Sequence, residues 1–133
     1  MAVGQIRILG QVAAGGVIGS LARYALDLLA AGNLPLTPQD FPLATLTVNL
    51  VGALAIGLLA PLLLAGTRWA SARPLLITGI LGGFTTFSAL AAQSGVMLLD
   101  DQGWRAAGYL VVTMVGGLLA VRIGVRIADR RPR

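Results

Sequence analysis

A chain of 133 residues that is 56% hydrophobic and only 11% charged cannot cover a water-facing surface, since soluble domains carry about 25% charged residues; a soluble enzyme is excluded, and the length allows a single domain. It has no cysteine and no histidine, which removes disulfides, thiolate and imidazole metal sites, thiol catalysis and Ser-His-Asp chemistry. All ten basic residues are arginine and all five acidic residues aspartate, for a net charge of +5; set between long apolar runs, the arginines read as membrane flanks and not as a nucleic-acid surface.

A helix that crosses a bilayer needs ~20 mostly apolar residues. The first run predicts a span over about 5–30. Arg23 and Asp27 interrupt it near its end, at i and i+4, where they can pair or snorkel. The run is too long for a cleavable signal peptide. Gly32 and the segment from Asn33 to Pro38 read as a Pro-rich turn. Phe41 to Thr67 carries no formal charge and predicts a span over 41–66. Ser71 as N-cap and Pro74 open a third span over 74–99. Asp100 to Gly103 is a turn. Ala106 to Val121 lies between Arg105 and Arg122, and the fourth span is placed at 104–127. The expected fold is an all-α membrane protein: one domain, 1–133, of four up-and-down helices joined by short loops, with both termini on one side.

Lipid tails give no hydrophobic drive between helices, so small residues must permit close packing. Eighteen glycines supply it. Gly15 and Gly19, and Gly79 and Gly83, have GxxxG spacing, and this density of glycine points to an oligomer. Thr45, Asn49, Gly52 and Ile56 form a polar-and-small stripe on the second span. An amide such as Asn49 in hydrocarbon must face protein or water, either as an interhelical bond or as a pore-lining donor. Leu81-Gly-Gly-Phe-Thr-Thr-Phe-Ser88 joins paired glycines to three hydroxyls. It predicts a helix broken at mid-membrane, with freed carbonyls for a cation and fresh amides at a new N-terminus. Tyr109 and Thr113 share a face, and Thr113 either bonds back to the preceding turn or lines the pathway. The chain has no glutamate, and its one intramembrane carboxylate, Asp27, sits beside Arg23. Passive conduction is therefore favoured over proton-driven exchange. No P-loop supports ATP hydrolysis.

These residues resemble the Fluc (CrcB) fluoride channel family. Gly15-Gly-Val-Ile-Gly-Ser-Leu-Ala-Arg23-Tyr24 resembles its first-span motif, Ala44-Thr-Leu-Thr-Val-Asn49-Leu-Val-Gly52 its second, and Thr78-Gly-Ile-Leu-Gly82-Gly-Phe-Thr85-Thr-Phe87-Ser88 its third. Gly108-Tyr109 through Thr113 resembles the fourth-span region, with threonine for serine. The resemblance implies an antiparallel dimer of dual topology in the plasma (cell inner) membrane. Two passive fluoride pores would lie between its subunits and protect the cell by fluoride export. It implies pore roles for Asn49, Phe87, Thr113, Tyr109 and Ser88, with Leu90 at the position of a second phenylalanine. It places Arg23 at the aqueous vestibule and a structural sodium on the backbone carbonyls of Gly82 and Thr85. No nucleic-acid partner is implied.

Such a pore makes chemical sense. Fluoride is tightly hydrated, so amide and hydroxyl donors must replace its water without a fixed cation that would trap it. A phenyl edge carries the positive end of the ring quadrupole.

Two departures stand out. Leucine at 90 removes one ring, so Leu90→Phe is expected to raise flux unless Leu90 faces a partner helix or lipid. Phe84, at a position usually aliphatic, and Ala44, for glycine, are lesser changes. In addition, Arg7, Arg68, Arg73, Arg130, Arg131 and Arg133 lie on the terminal side. Only Arg105 lies in a loop on the other, with Arg23 near that membrane edge, a bias that favours cytoplasmic termini and sets an obligate, oppositely oriented partner beside the homodimer as a second form. The competing functions are a non-conducting or weakly conducting packing subunit of a heterodimer, and a small-multidrug-type exporter, which would need a first-span glutamate.

Overall fold

The computed structural model describes residues 3–33, 41–63 and 67–130. Its long elements are all helical. Helix α1 (Val3–Asn33) is 31 residues long, about 46 Å at 1.5 Å per residue. Helix α2 (Leu43–Leu59) has only 17 residues, about 25 Å, and stops short of the ~30 Å hydrocarbon layer. Pro61, which has no N–H, ends it, and a 3₁₀ turn (Pro61–Leu63) completes the crossing. A second 3₁₀ turn (Ala70–Ala72) leads into a π-helix (Pro74–Leu81). The wider winding shows in the Gly82 amide, which donates to the Ile77 carbonyl five residues back. One α-turn, α3 (Gly82–Phe84), follows. Thr85 and Thr86 are extended, and α4 (Phe87–Leu99) resumes the crossing. A tight turn holding Asp101 at φ 57°, a conformation Asp tolerates, leads to α5 (Gly103–Asp129).

Among the described residues, three helical stretches are long and apolar enough to cross a membrane and one apolar helix is shorter, and they fall near the expected spans. The second is shorter than 41–66, because Pro61 closes it. The third breaks not at the paired glycines, which stay helical, but at the two threonines after them. Ser71 does not cap the third span. It lies inside the turn Ala70–Ala72, and the residue before the π-helix, Arg73, is already helical and offers no side-chain cap. Pro74 has no N–H to satisfy there. The Pro-rich turn expected from Gly32 and Asn33 to Pro38 does not begin there, since Gly32 and Asn33 still belong to α1; the rest of it, 34–38, lies outside the described residues.

Glycines decide which helices touch. A Cβ on Gly15 would meet the Leu75 carbonyl and the Cα of Gly79, one on Gly19 the Ile80 carbonyl, and one on Gly83 the Gly16 carbonyl. Helix α1 therefore lies backbone-to-backbone on the π-helix and α3, as the two GxxxG pairs predict. Gly57 and Gly124 do the same for α2 against α5: a Cβ on Gly57 would strike the Val121 carbonyl, and one on Gly124 the Leu54 carbonyl. Helix α4 packs on α5 through Leu90, Met97, Ala106 and Tyr109. The Phe41 ring stands edge-on to Tyr109, with centroids 5.3 Å apart.

These contacts fix the topology. The Gln11 side chain donates to the Ser71 carbonyl at 3.2 Å, so the start of α1 lies beside the entry to the third crossing. Gly57 against Val121 puts the end of α2 beside the end of α5. Both termini therefore lie at one end, as the short loops require.

Gly19→Ala is expected to force α1 off the π-helix at a cost of about 1–3 kcal/mol, the range for overpacking. A Cβ on Gly16 meets nothing within 4 Å, so Gly16→Ala should stay within about 0.5 kcal/mol of the parent. Thermal unfolding of both variants in detergent tests the contrast.

Candidate ion-binding cleft

The break in the third crossing is held from α2. Gly52 has no side chain to keep Thr85 away; a Cβ there would run into the Thr85 methyl. One turn earlier, Asn49 reaches the freed backbone. Its Nδ2 donates to the Thr86 carbonyl at 3.1 Å, and its Oδ1 accepts from the Thr86 amide at 2.8 Å. A side-chain carboxamide thus replaces a backbone peptide as the partner of Thr86. In a membrane interior, where an unmet amide costs several kcal/mol, this pairing lets the helix open.

The consequences run both ways along the chain. In an unbroken helix the Thr86 amide would bond to the Gly82 carbonyl; here Asn49 takes it. The Ala89 amide would bond to the Thr85 carbonyl; here it donates to the Thr86 hydroxyl at 3.1 Å, so Thr86 is the N-cap of α4. The carbonyls of Gly82 and Thr85 both lose their helical donors. They are the two carbonyls that the family resemblance assigns to sodium.

Beside the break is an open cleft of about 280 Å³, lined by Asn49, Thr85, Thr86, Phe87, Leu90 and Thr113, with Ala53, Ile56 and Met114. Its donors can be counted. Asn49 has two N–H bonds and spends one on Thr86. Thr85 donates to the Leu81 carbonyl at 2.9 Å, and Thr113 to the Tyr109 carbonyl at 2.7 Å. Thr86 and Ser88 share one hydrogen bond at 3.2 Å, which leaves one hydroxyl proton between them. Among the side chains lining or flanking the cleft, the uncommitted donors are therefore the second Asn49 N–H and a single Thr86/Ser88 proton. Phe87 stands 73% exposed at the cleft.

Tyr109 and Leu90 depart from the expected pattern. Tyr109 is fully buried behind the cleft. Its hydroxyl donates to Gln93 Oε1 at 2.8 Å, and Gln93 Nε2 donates to the Thr45 hydroxyl at 2.9 Å. Its proton is committed within the bundle. Gln93 was missed from sequence, though an amide in an apolar run six residues beyond Phe87 is a visible signal. Phe87 and Leu90 both line the cleft, but Leu90 is only 4% exposed and packs with Met97 and Tyr109. A ring at 90 would enter packed core.

Arg23 is not in the cleft lining. It pairs with Asp27 at 3.5 Å, as the i,i+4 spacing predicts, and its Nε is buried without a partner. Thr113 bonds back to the preceding turn while lining the cleft, so both readings of it hold together.

Two outcomes follow. Asn49→Asp puts a carboxylate oxygen against the Thr86 carbonyl and should cost about 1–3 kcal/mol while abolishing ion flux. Leu90→Phe should lower stability by about 1–3 kcal/mol without the gain in flux that the motif alone suggests. Thermal unfolding and anion efflux on the same preparations check both.

Comparison with known proteins gives the chain its relatives. The family described as CrcB-like protein, Camphor Resistance (CrcB), matches residues 11–125. A fluoride-specific ion channel, FluC 1, of Mycolicibacterium paratuberculosis is 43% identical over 131 residues, covering 98% of this chain and 96% of the relative. The fluoride-specific ion channel FluC of Paracoccus denitrificans is 46% identical over 117 residues, 88% of this chain and 90% of the relative. That of Chlorobium chlorochromatii is 42% identical over 115 residues, 86% of each. The chain belongs to the CrcB family, a family of ion channels and not of enzymes.

Proposed function

We propose that this chain is a passive, fluoride-selective channel subunit that exports fluoride across the plasma membrane and so protects against its toxicity. The observation that carries the reading is the cleft at the broken helix, in a chain whose relatives are named fluoride-specific ion channels. An anion entering it meets the second Asn49 N–H, the spare Thr86/Ser88 proton and the exposed Phe87 ring. These are neutral donors, strong enough to replace water and free of the fixed cation that would hold the ion. Thr113 can contribute only by releasing the Tyr109 carbonyl. Tyr109 serves as a buried strut and not as a donor to the ion. The absence of glutamate from the sequence speaks against coupled proton exchange and against a small-multidrug-type exporter.

The cleft is open on one side, and a second subunit in antiparallel orientation would close it, giving two pores per dimer. The freed carbonyls of Gly82 and Thr85 fit a sodium ion: hard oxygen donors, neutral, and short of hydrogen-bond partners. A bound sodium would supply positive charge between the subunits without a carboxylate nearby to repel fluoride. Replacing sodium by a large organic cation throughout purification should lower dimer stability and flux together.

Charge favours a partnered form of this reading. The terminal end of the bundle carries Arg7, Arg68, Arg73, Arg122, Arg126 and Arg130 against Asp129 among the described residues. The opposite end carries Arg23 and Arg105 against Asp27, Asp100 and Asp101. Such a bias directs one orientation, termini inward. An antiparallel dimer then calls for an oppositely oriented homologue, with this chain as one conducting or weakly conducting half. Fluoride efflux from liposomes that hold this chain alone is the test. Electrode-detected efflux under a potassium diffusion potential supports a self-sufficient channel. Silence that is relieved by co-reconstitution with an oppositely oriented homologue supports the paired form. Silence with both would sink the channel reading.

A further inference from the structure

Helix α5 ends in a basic stripe that ion conduction does not use. Arg122, Arg126 and Arg130 follow at i, i+4 and i+8 and are all exposed, so they share one face. The opposite face is packed, with Gly124 against the Leu54 carbonyl of α2 and Ala128 buried. Toward the bilayer centre the arginine face continues as an apolar one. Val115, Leu118 and Leu119 are 53%, 60% and 51% exposed.

Depth identifies what such a face meets. Arg122 lies 17 residues beyond Arg105, about 25 Å along the helix. The hydrocarbon layer is ~30 Å thick and each head-group zone adds ~5–8 Å. With Arg105 at one hydrocarbon edge, Arg122 starts ~5 Å short of the other, a distance its long side chain spans by snorkelling. Arg126, ~6 Å further on, lies within the head-group layer, and Arg130, at ~12 Å, near its outer limit. An outward face at that depth meets phospholipid. None of the three is neutralised from within: among the described residues the one ion pair is Arg23–Asp27, at the other end of the bundle. The same end carries Arg68 over the ring of Trp69, 5.1 Å from its centroid, and Trp69 is 53% exposed. An exposed tryptophan at this level is an interfacial anchor.

We propose that the Arg122–Arg126–Arg130 face of α5 is a binding site for the phosphate of an anionic phospholipid, with its acyl chains along Val115, Leu118 and Leu119. The guanidinium fork engages phosphate oxygens in pairs, which an ammonium cannot. A basic side chain at an anionic surface contributes about fivefold in binding, so three together give about a hundredfold. Such a lipid would also hold the arginine end of the bundle at one leaflet.

The test is lipid binding to the full chain in neutral detergent, followed by native mass spectrometry. Phosphatidylglycerol should bind the parent chain about a hundredfold more tightly than it binds R122Q/R126Q/R130Q. Phosphatidylcholine should not distinguish the two, and R105Q, at the opposite end, should bind like the parent. Should the triple variant fail to fold, R126Q alone should lose about fivefold. Unchanged phosphatidylglycerol binding in a folded triple variant would overturn the proposal. So would full displacement by inorganic phosphate, which would show an ion site without lipid. A face that takes no lipid because a second copy of the chain covers it would overturn it as well.

Discussion

One carboxamide holds the rest of the site in place. Asn49 gives Thr86 both a donor and an acceptor, and in a membrane that is what a peptide group needs before it can leave a helix. Once Thr86 is held by α2, the third apolar stretch can end as a helix and restart as α4. The restart frees the carbonyls of the turn before it, those of Gly82 and Thr85 among them, caps α4 with a hydroxyl and leaves Phe87 exposed. Each feature of the cleft follows from that exchange of partners. The bland and the functional readings of Asn49 are therefore not rivals. One N–H clamps the backbone and the other stays available to the cleft.

The glycines make the exchange possible at a distance. Backbone contact between α1 and the π-helix, and between α2 and α5, brings the crossings within reach of short side chains. Gly52 matters most directly, because it lets Thr85 settle against α2 one turn from Asn49. The wide winding of Pro74–Leu81 belongs to the same region: it redirects the Gly82 amide to Ile77 just ahead of the break.

Much of this was legible in the sequence because membranes simplify the reading. Apolar length marked four helical stretches, GxxxG spacing marked the α1 contact, and paired glycines with hydroxyls marked the segment that breaks. What stayed hidden depended on partners that no local pattern names. Paired glycines look like the breaking point, yet they remain helical, since Asn49 selects Thr86 instead. Phe87 and Leu90, three apart, look equivalent; packing against Met97 and Tyr109 separates them. Tyr109 looks like a donor until Gln93, on another helix, takes its proton. The Pro61 stop was readable but outweighed by the length of the uncharged run.

In the proposed function an ion passes a neutral cleft beside the broken helix without coupling to protons. The direct measurement is the reversal potential of fluoride current through the reconstituted protein in a planar bilayer, with opposing fluoride and pH gradients. The protein is this chain, with an oppositely oriented homologue where one is required. The expected reversal potential is set by the fluoride gradient alone, unmoved by pH and by added chloride. A reversal potential that follows the pH gradient would contradict it.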